Sequence, residues 1–249
     1  MSTDKWQVSF KIFRQRQGNR SYYQIFTLTV DPDEYVLDAI ERIWAFEDRT
    51  LTYRHACHHS TCGACGMRIN GVEKLTCITS LRAVTRDGGQ VLVEPLRNFE
   101  ILSDLVVDMG PFFGRMGQTS FSSVAPVEKA ALCFEDETAK KEGFERLVDC
   151  IECGMCISAC PAAMTHENYV GPAVLASIQL MHQQKPEDAL FHLADNEIGA
   201  WRCHSAFECS EVCPSNVDPG WRIMNLRGKI VSHKIKSFLK IGVKEPNHG

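Results

Sequence analysis

The sequence predicts an α+β chain, with a β-grasp, ferredoxin-like domain over residues 1–110 and an all-α domain over residues 111–249. Two observations carry this. The first hundred residues hold aromatic and β-branched runs broken by turn signals, whereas later apolar residues recur at helical spacing. Residues 110–126, rich in Gly, Ser and Pro, read as a connector and set the boundary near residue 110.

Residues 6–13 and 22–30 have the content of paired strands. Asp31-Pro-Asp-Glu then leads into residues 35–46, where Val36, Ile40, Ile43 and Trp44 recur as on one face of a helix. Asn70-Gly71 suits a type I′ hairpin turn, because both central residues of that turn take positive φ. Residues 91–94 add a further strand, and helices are expected over 172–184, 186–196 and 221 to about 240.

Hydrophobic residues make up 44% of the 249 and charged residues 23%, as in a globular chain of two domains. A net charge of −4 argues against a general affinity for nucleic acid. The opening residues lack the basic and then apolar segments of a secretory signal, and no stretch approaches the roughly 20 apolar residues of a membrane span. The expected setting is reducing, where twelve cysteines are metal ligands rather than a disulfide framework. No nucleophile–base set, Gly-rich phosphate loop or zinc-protease helix is found, so no substrate chemistry is expected of this chain itself.

The first cysteine group is Cys57-x4-Cys62-x2-Cys65, followed by Cys77 on the far strand of the Asn70-Gly71 hairpin. This is the plant-type [2Fe–2S] spacing. Gly63, Ala64 and Gly66 keep the loop slim, so that backbone N–H groups can approach the sulfides. A structural zinc site is the competing reading, although so short a loop is unusual for zinc. His55, His58 and His59 crowd the same loop. Four thiols are already present, so the histidines read as polar residues that shape solvation.

The second group, Cys150-x2-Cys153-x2-Cys156-x3-Cys160-Pro161, is the bacterial two-cluster ferredoxin run, in which the fourth cysteine ligates the other cluster. The third group, Cys203-x5-Cys209-x3-Cys213-Pro214, repeats it with Ala206 in place of a cysteine. Crossing the fourth ligands gives Cys150, Cys153, Cys156 and Cys213 to one site and Cys160, Cys203 and Cys209 to another. Four thiolates suit [4Fe–4S]. Three suit [3Fe–4S], with a [4Fe–4S] cluster holding one non-protein ligand as the alternative. Cys133 falls outside every run and reads as a small buried hydrophobe.

With the three groups in this order, followed by Tyr169-Val-Gly-Pro-Ala173 and Arg202-Cys-His-Ser205, the chain resembles the iron–sulfur subunit of the succinate dehydrogenase and fumarate reductase family, also called complex II. The resemblance covers about residues 6 to 240. It implies a flavoprotein partner with covalent FAD, where succinate and fumarate interconvert, and a membrane anchor able to carry haem b. Electrons would pass from FAD through [2Fe–2S], [4Fe–4S] and [3Fe–4S] to quinone, with the chain held peripherally on the cytoplasmic side of the membrane. Pro161, His204 and Arg227 would lie nearest the quinone. Many relatives follow the Cys160-Pro161 position with an aromatic pair that lines a ubiquinone pocket. Here Ala162-Ala163-Met164 stands instead, which is similar to the fumarate reductase branch and points to menaquinone.

From residue 220 to 244 the chain carries Arg222, Arg227, Lys229, Lys234, Lys236, Lys240 and Lys244 with no acidic residue. Ile223, Leu226, Ile230 and Phe238 fall among them near helical spacing. Such a helix suits an anionic lipid surface or acidic partner, or is an ordinary solvated helix with an apolar core side. The nearest rival function is an iron–sulfur subunit of another quinone- or thiol-linked reductase. A structural metal protein that binds nucleic acid is the rival from another class, and it would need basic patches interleaved with aromatics.

Overall fold

A computed structural model describes residues 5–16, 20–119, 150–184 and 188–241. Strand β1 (Trp6–Arg14) pairs antiparallel with β2 (Tyr22–Val30), and parallel with β5 (Gln90–Glu94). Strand β3 (Gly66–Ile69) pairs antiparallel with both β4 (Val72–Leu75) and β5, giving the order β2-β1-β5-β3-β4. Alternation along β1 buries Val8, Phe10 and Ile12 on the face covered by Val36, Ala39 and Ile40 of α1 (Val36–Arg42). Each buried Val, Ile or Phe among them contributes about 1.5–3 kcal/mol by leaving water. Asn70 and Gly71 take φ of 51° and 86°, as the expected hairpin turn demands.

Helix α1 ends in a widened turn over Ile43–Glu47, closed by the Asp48 N–H on the Ile43 carbonyl at 2.8 Å. This shifts the helical register. Ile43 stays in the core, but Trp44, expected on the same apolar face, turns outward beneath the Arg49 guanidinium at 4.8 Å. The last inward position of β1 is Arg14, buried and paired with Asp48 at 2.8 Å and Asp104 at 3.1 Å. Hydrogen bonds from Thr50 and the Arg14 guanidinium hold the Asp48 carboxyl well below its usual range.

After a short hairpin of β6 (Ile101–Ser103) and β7 (Val106–Val107), the segment read as a connector is helical over its described part: α2 spans Gly110–Gln118. Pro111 sits in the first turn, where its missing N–H costs nothing, and Phe112 and Met116 are buried one turn apart. Their burial outweighs the glycine penalty that suggested a loop. Residues 120–126 of that segment lie outside the described residues.

The later helices are α3 (Met155–Ser158), α4 (Pro161–Thr165), α5 (Pro172–Gln184), α6 (Asp188–Ala194), α7 (Glu208–Glu211) and α8 (Pro219–Ile241). Leu175 and Ile178 of α5 share a core with Ile223, Leu226 and Ile230 of α8. The basic face expected of α8 is only partly there. Arg222 turns inward to the Val217 carbonyl at 2.9 Å and Gln179 at 3.0 Å, and Lys234 pairs with Asp195 at 2.6 Å. Phe238 is not on the core side with Ile223, Leu226 and Ile230: the helix runs past its support, leaving Val231, Ile235, Phe238 and Leu239 exposed. Lys244 lies outside the described residues. No helix among the described residues is long and apolar enough to cross a membrane.

One hydrophobic core runs from Leu75, Leu96 and Met109 into Met155, Ile157 and Phe112, joining the sheet to the helices. At this seam the Ser158 hydroxyl donates to buried Glu73 at 2.7 Å and accepts from the Arg97 N–H at 2.8 Å. The Asn98 amide donates to the carbonyls of Ile157, Ser158 and Cys160 at 2.7–3.2 Å.

Candidate metal centres

The first group lies on the loop between α1 and β3, with Cys77 just past β4. Thr76 holds the two segments together, its N–H and hydroxyl both donating to the Cys65 carbonyl, at 3.3 and 3.0 Å. Cys65 and Cys77 are buried, Cys57 half-buried and Cys62 exposed. The N–H groups of His59 and Thr61 point at the Cys57 sulfur at 3.5 and 3.4 Å. Hydrogen bonds from the Thr61 side chain first, and then from the His59 N–H, bring the Cys57 thiol down to about 5. Burial pushes Cys77 up to about 11, with Cys65 and Cys57 close enough to add to the rise. The four thiols thus meet, one side wet and one side dry.

The ferredoxin run winds through α3 to α4, with Gly154 at φ 76° opening α3. One cavity here is lined by Cys150, Cys153, Cys156 and Cys213. A second is lined by Cys160, Cys203 and Cys209, with Ala206 in its wall. The fold thus gathers four of these cysteines around one cavity and three around the other. Ser205 and Phe207 flank Ala206 with φ of 57° and 61°, so this short loop curls in left-handed backbone.

Both cavities suit cationic iron. Burial pushes Cys150 to about 11, Cys153 to about 12 and Cys156 well above the ordinary thiol range, so unmetallated thiolates there are disfavoured. Burial likewise raises Cys160, and Cys209 to about 12. Tyr169, which also lines the three-cysteine cavity, buries a hydroxyl with no hydrogen-bond partner among the described residues. A cluster sulfide would accept that hydroxyl. Cys133 lies outside the described residues.

Pro161 starts α4 and lines the three-cysteine cavity with His204. Arg227 takes a different place from a surface residue of a basic tail. Its guanidinium donates to the Ala200 carbonyl at 2.9 Å, the Cys203 carbonyl at 2.5 Å and the Ser205 hydroxyl at 3.3 Å. It braces the cysteine loop from α8.

Sequence reasoning missed Glu73, Ser158, Arg97 and Asn98, which fix the ferredoxin run against the sheet. Only their three-dimensional pairing marks them, since Ser158 and Glu73 are 85 positions apart. The role of Gly63 as a packing surface was equally hidden. A Cβ there would lie 2.7 Å from the Cβ of Cys153.

Comparison with known proteins decides the family. The fumarate reductase iron-sulfur subunit of Mycobacterium tuberculosis is 33% identical over 225 residues, covering 87% of this chain and 89% of that protein. The chain belongs to the iron–sulfur subunits of the fumarate reductase and succinate dehydrogenase family. Another relative in it is the mitochondrial succinate dehydrogenase [ubiquinone] iron-sulfur subunit of Dictyostelium discoideum, 28% identical over 239 residues, covering 88% of this chain and 81% of that one. Residues 9–114 match the 2Fe-2S iron-sulfur cluster binding domain and residues 146–217 the 4Fe-4S dicluster domain. Among solved structures, the Mycobacterium smegmatis Sdh1 complex in the apo form contains a chain that superposes with a TM-score of 0.79 at 25% identity, covering 93% of this chain and 98% of that one. As a fumarate reductase/succinate dehydrogenase subunit, the chain transfers electrons within such a complex, and the β-grasp and helical dicluster parts are its two working domains.

Proposed function

We propose that Cys57, Cys62, Cys65 and Cys77 ligate a [2Fe–2S] cluster, that Cys150, Cys153, Cys156 and Cys213 ligate a [4Fe–4S] cluster, and that Cys160, Cys203 and Cys209 ligate a [3Fe–4S] cluster. The domain carrying the first is residues 1–110 and the domain carrying the other two is residues 111–249. The observation that carries the assignment is the sorting of seven cysteines into two cavities, four thiols in one and three in the other. When bound, such clusters supply single-electron relays whose potentials depend on hydrogen bonds and exposure at each sulfur. The chain's own residues supply those terms: Thr61 and His59 at Cys57, the Ser205 N–H at Cys203 (3.4 Å), and the Val217 N–H at Cys213 (3.4 Å).

In this reading the β-grasp domain faces the FAD-bearing flavoprotein and the three-cysteine cavity faces quinone at the anchor. The exposed apolar end of α8 supports an anchor contact, as does the place of Pro161 and His204 beside that cavity. Helix α4 carries Ala162, Ala163 and Met164 where an aromatic pair would line a ubiquinone pocket, which favours a menaquinone-type acceptor. The complex then sits peripherally on the cytoplasmic side of the membrane. Purification of the complex with its partners tests this. FAD, iron, acid-labile sulfide and succinate- or fumarate-linked quinone turnover are expected together; a preparation with iron near zero contradicts it.

A further inference from the structure

Outside the eleven cysteines, one other group of metal-binding side chains converges among the described residues. His55 Nδ1 lies 3.2 Å from Glu41 Oε1, His58 Nε2 lies 3.3 Å from the same oxygen, and the two ring nitrogens are 3.0 Å apart. We propose that Glu41, His55 and His58 form a separate site for a zinc-class divalent cation beside the [2Fe–2S] loop.

The spacing is that of ligands around a small cation. Donors held at about 2.0–2.1 Å in tetrahedral array stand roughly 3.3 Å apart. The point equidistant from the three atoms here is about 1.8 Å from each, so such a cation sits roughly 1 Å out of their plane. Hydrogen bonding alone does not account for the arrangement. Glu41 Oε1 is shielded from solvent and accepts no hydrogen bond from the described residues, although two imidazole nitrogens crowd it. A bond between the two rings would satisfy only the rings. A cation satisfies all three atoms.

The local structure holds the donors in place. Glu41 sits in the last turn of α1, Tyr53 stacks on the His55 ring with centroids 5.2 Å apart, and His58 is turned toward Glu41 by a left-handed backbone at φ 60°. Two imidazoles and one carboxylate suit zinc and its borderline neighbours, whereas magnesium and calcium take oxygen ligands. The rings are 40% and 42% exposed, so a cation can enter from solvent and keep an open position for water or a partner's side chain. Two of the three histidines that read as solvating residues in sequence, His55 and His58, thus share one carboxylate oxygen in the fold.

The test uses the intact complex, washed with chelator only as far as the cluster EPR signals remain, then titrated with zinc chloride. Zinc uptake by equilibrium dialysis and the zinc X-ray absorption edge are read in the wild type, Glu41→Gln and His58→Gln. The expected result is one zinc per chain with nitrogen and oxygen neighbours and no sulfur, weakened at least about tenfold in each variant while the reduced [2Fe–2S] signal persists. Zinc uptake equal in wild type and variants overturns the site. So does a wild-type zinc shell containing sulfur, or no uptake by the wild type, whatever the variants do.

Discussion

Gly63 packs against Cys153, bringing the first cysteine loop into direct contact with the ferredoxin run: a Cβ on Gly63 would meet the Cys153 Cβ at 2.7 Å and its Cα at 2.9 Å. Because Gly63 stands between Cys62 and Cys65, this contact sets how closely the first cysteine loop approaches the run that carries Cys153. Glycine is required twice over, since its φ is +69°.

Gly63→Ala should therefore be costly. The left-handed backbone alone costs an alanine about 1–2 kcal/mol, and the clash adds to that. The variant complex should inactivate at lower temperature and show succinate-to-quinone turnover reduced several-fold, with the flavoprotein's own turnover of an artificial acceptor unchanged. Wild-type stability and turnover would show that the loop and the run do not touch.

Arg227→Ala should loosen the loop that carries Cys203. Charge-assisted hydrogen bonds of this kind contribute on the order of 1.5–3 kcal/mol each, less where solvent reaches them. The [3Fe–4S] signal should broaden or fall in occupancy while [2Fe–2S] and [4Fe–4S] signals remain, and Arg227→Lys should restore it only in part, because one ammonium cannot span the Ala200 and Cys203 carbonyls together. If Arg227→Ala changed only binding to the anchor, with the signal intact, the arginine would belong to the surface after all.

Cluster assembly should depend on pH in a predictable direction. The thiols of Cys150 and Cys153 are raised to about 11 and 12 by burial, so metal loading must displace protons that the unfolded chain, with thiols near 8.5, would hold less tightly. Raised thiol values stabilise the metal-free fold below the unfolded thiol range and lose that contribution as pH rises through the folded values. Reconstitution of the apo chain with iron and sulfide should accordingly become more complete from pH 7 to 9 at the ferredoxin run. Cys57, at about 5, adds no such dependence there. Occupancy of the helical domain that stays flat across that range, at fixed sulfide speciation, would contradict the burial argument.

Much of this was legible in the sequence because cluster ligation forces thiols into short, fixed spacings. The runs at Cys57, Cys150 and Cys203 carry that spacing openly, and the Asn70-Gly71 turn announces itself by its positive-φ residues. What stayed hidden depends on contacts between distant positions. Ser158 gives no sign that it will meet Glu73, and Arg227 looks like one more basic residue in a basic tail until its partners are backbone carbonyls. Helix α2 was masked by Gly110, Pro111, Gly114 and Gly117, residues that weaken a helix locally but were outweighed by burial of Phe112 and Met116. Trp44 was misplaced because a widened turn leaves no mark on an apolar period.

The central claim is that the Cys160, Cys203 and Cys209 cavity lacks a fourth iron because Ala206, in its wall, offers no thiol. Low-temperature EPR of the oxidised complex tests it, since an oxidised [3Fe–4S] centre is paramagnetic and an oxidised low-potential [4Fe–4S] centre is silent. The wild type should give the [3Fe–4S] signal, and Ala206→Cys should lose it with a gain of iron and a fall in quinone turnover, because cluster type and charge help set the potential. A wild type without that signal, or a variant that keeps it unchanged, would contradict the account.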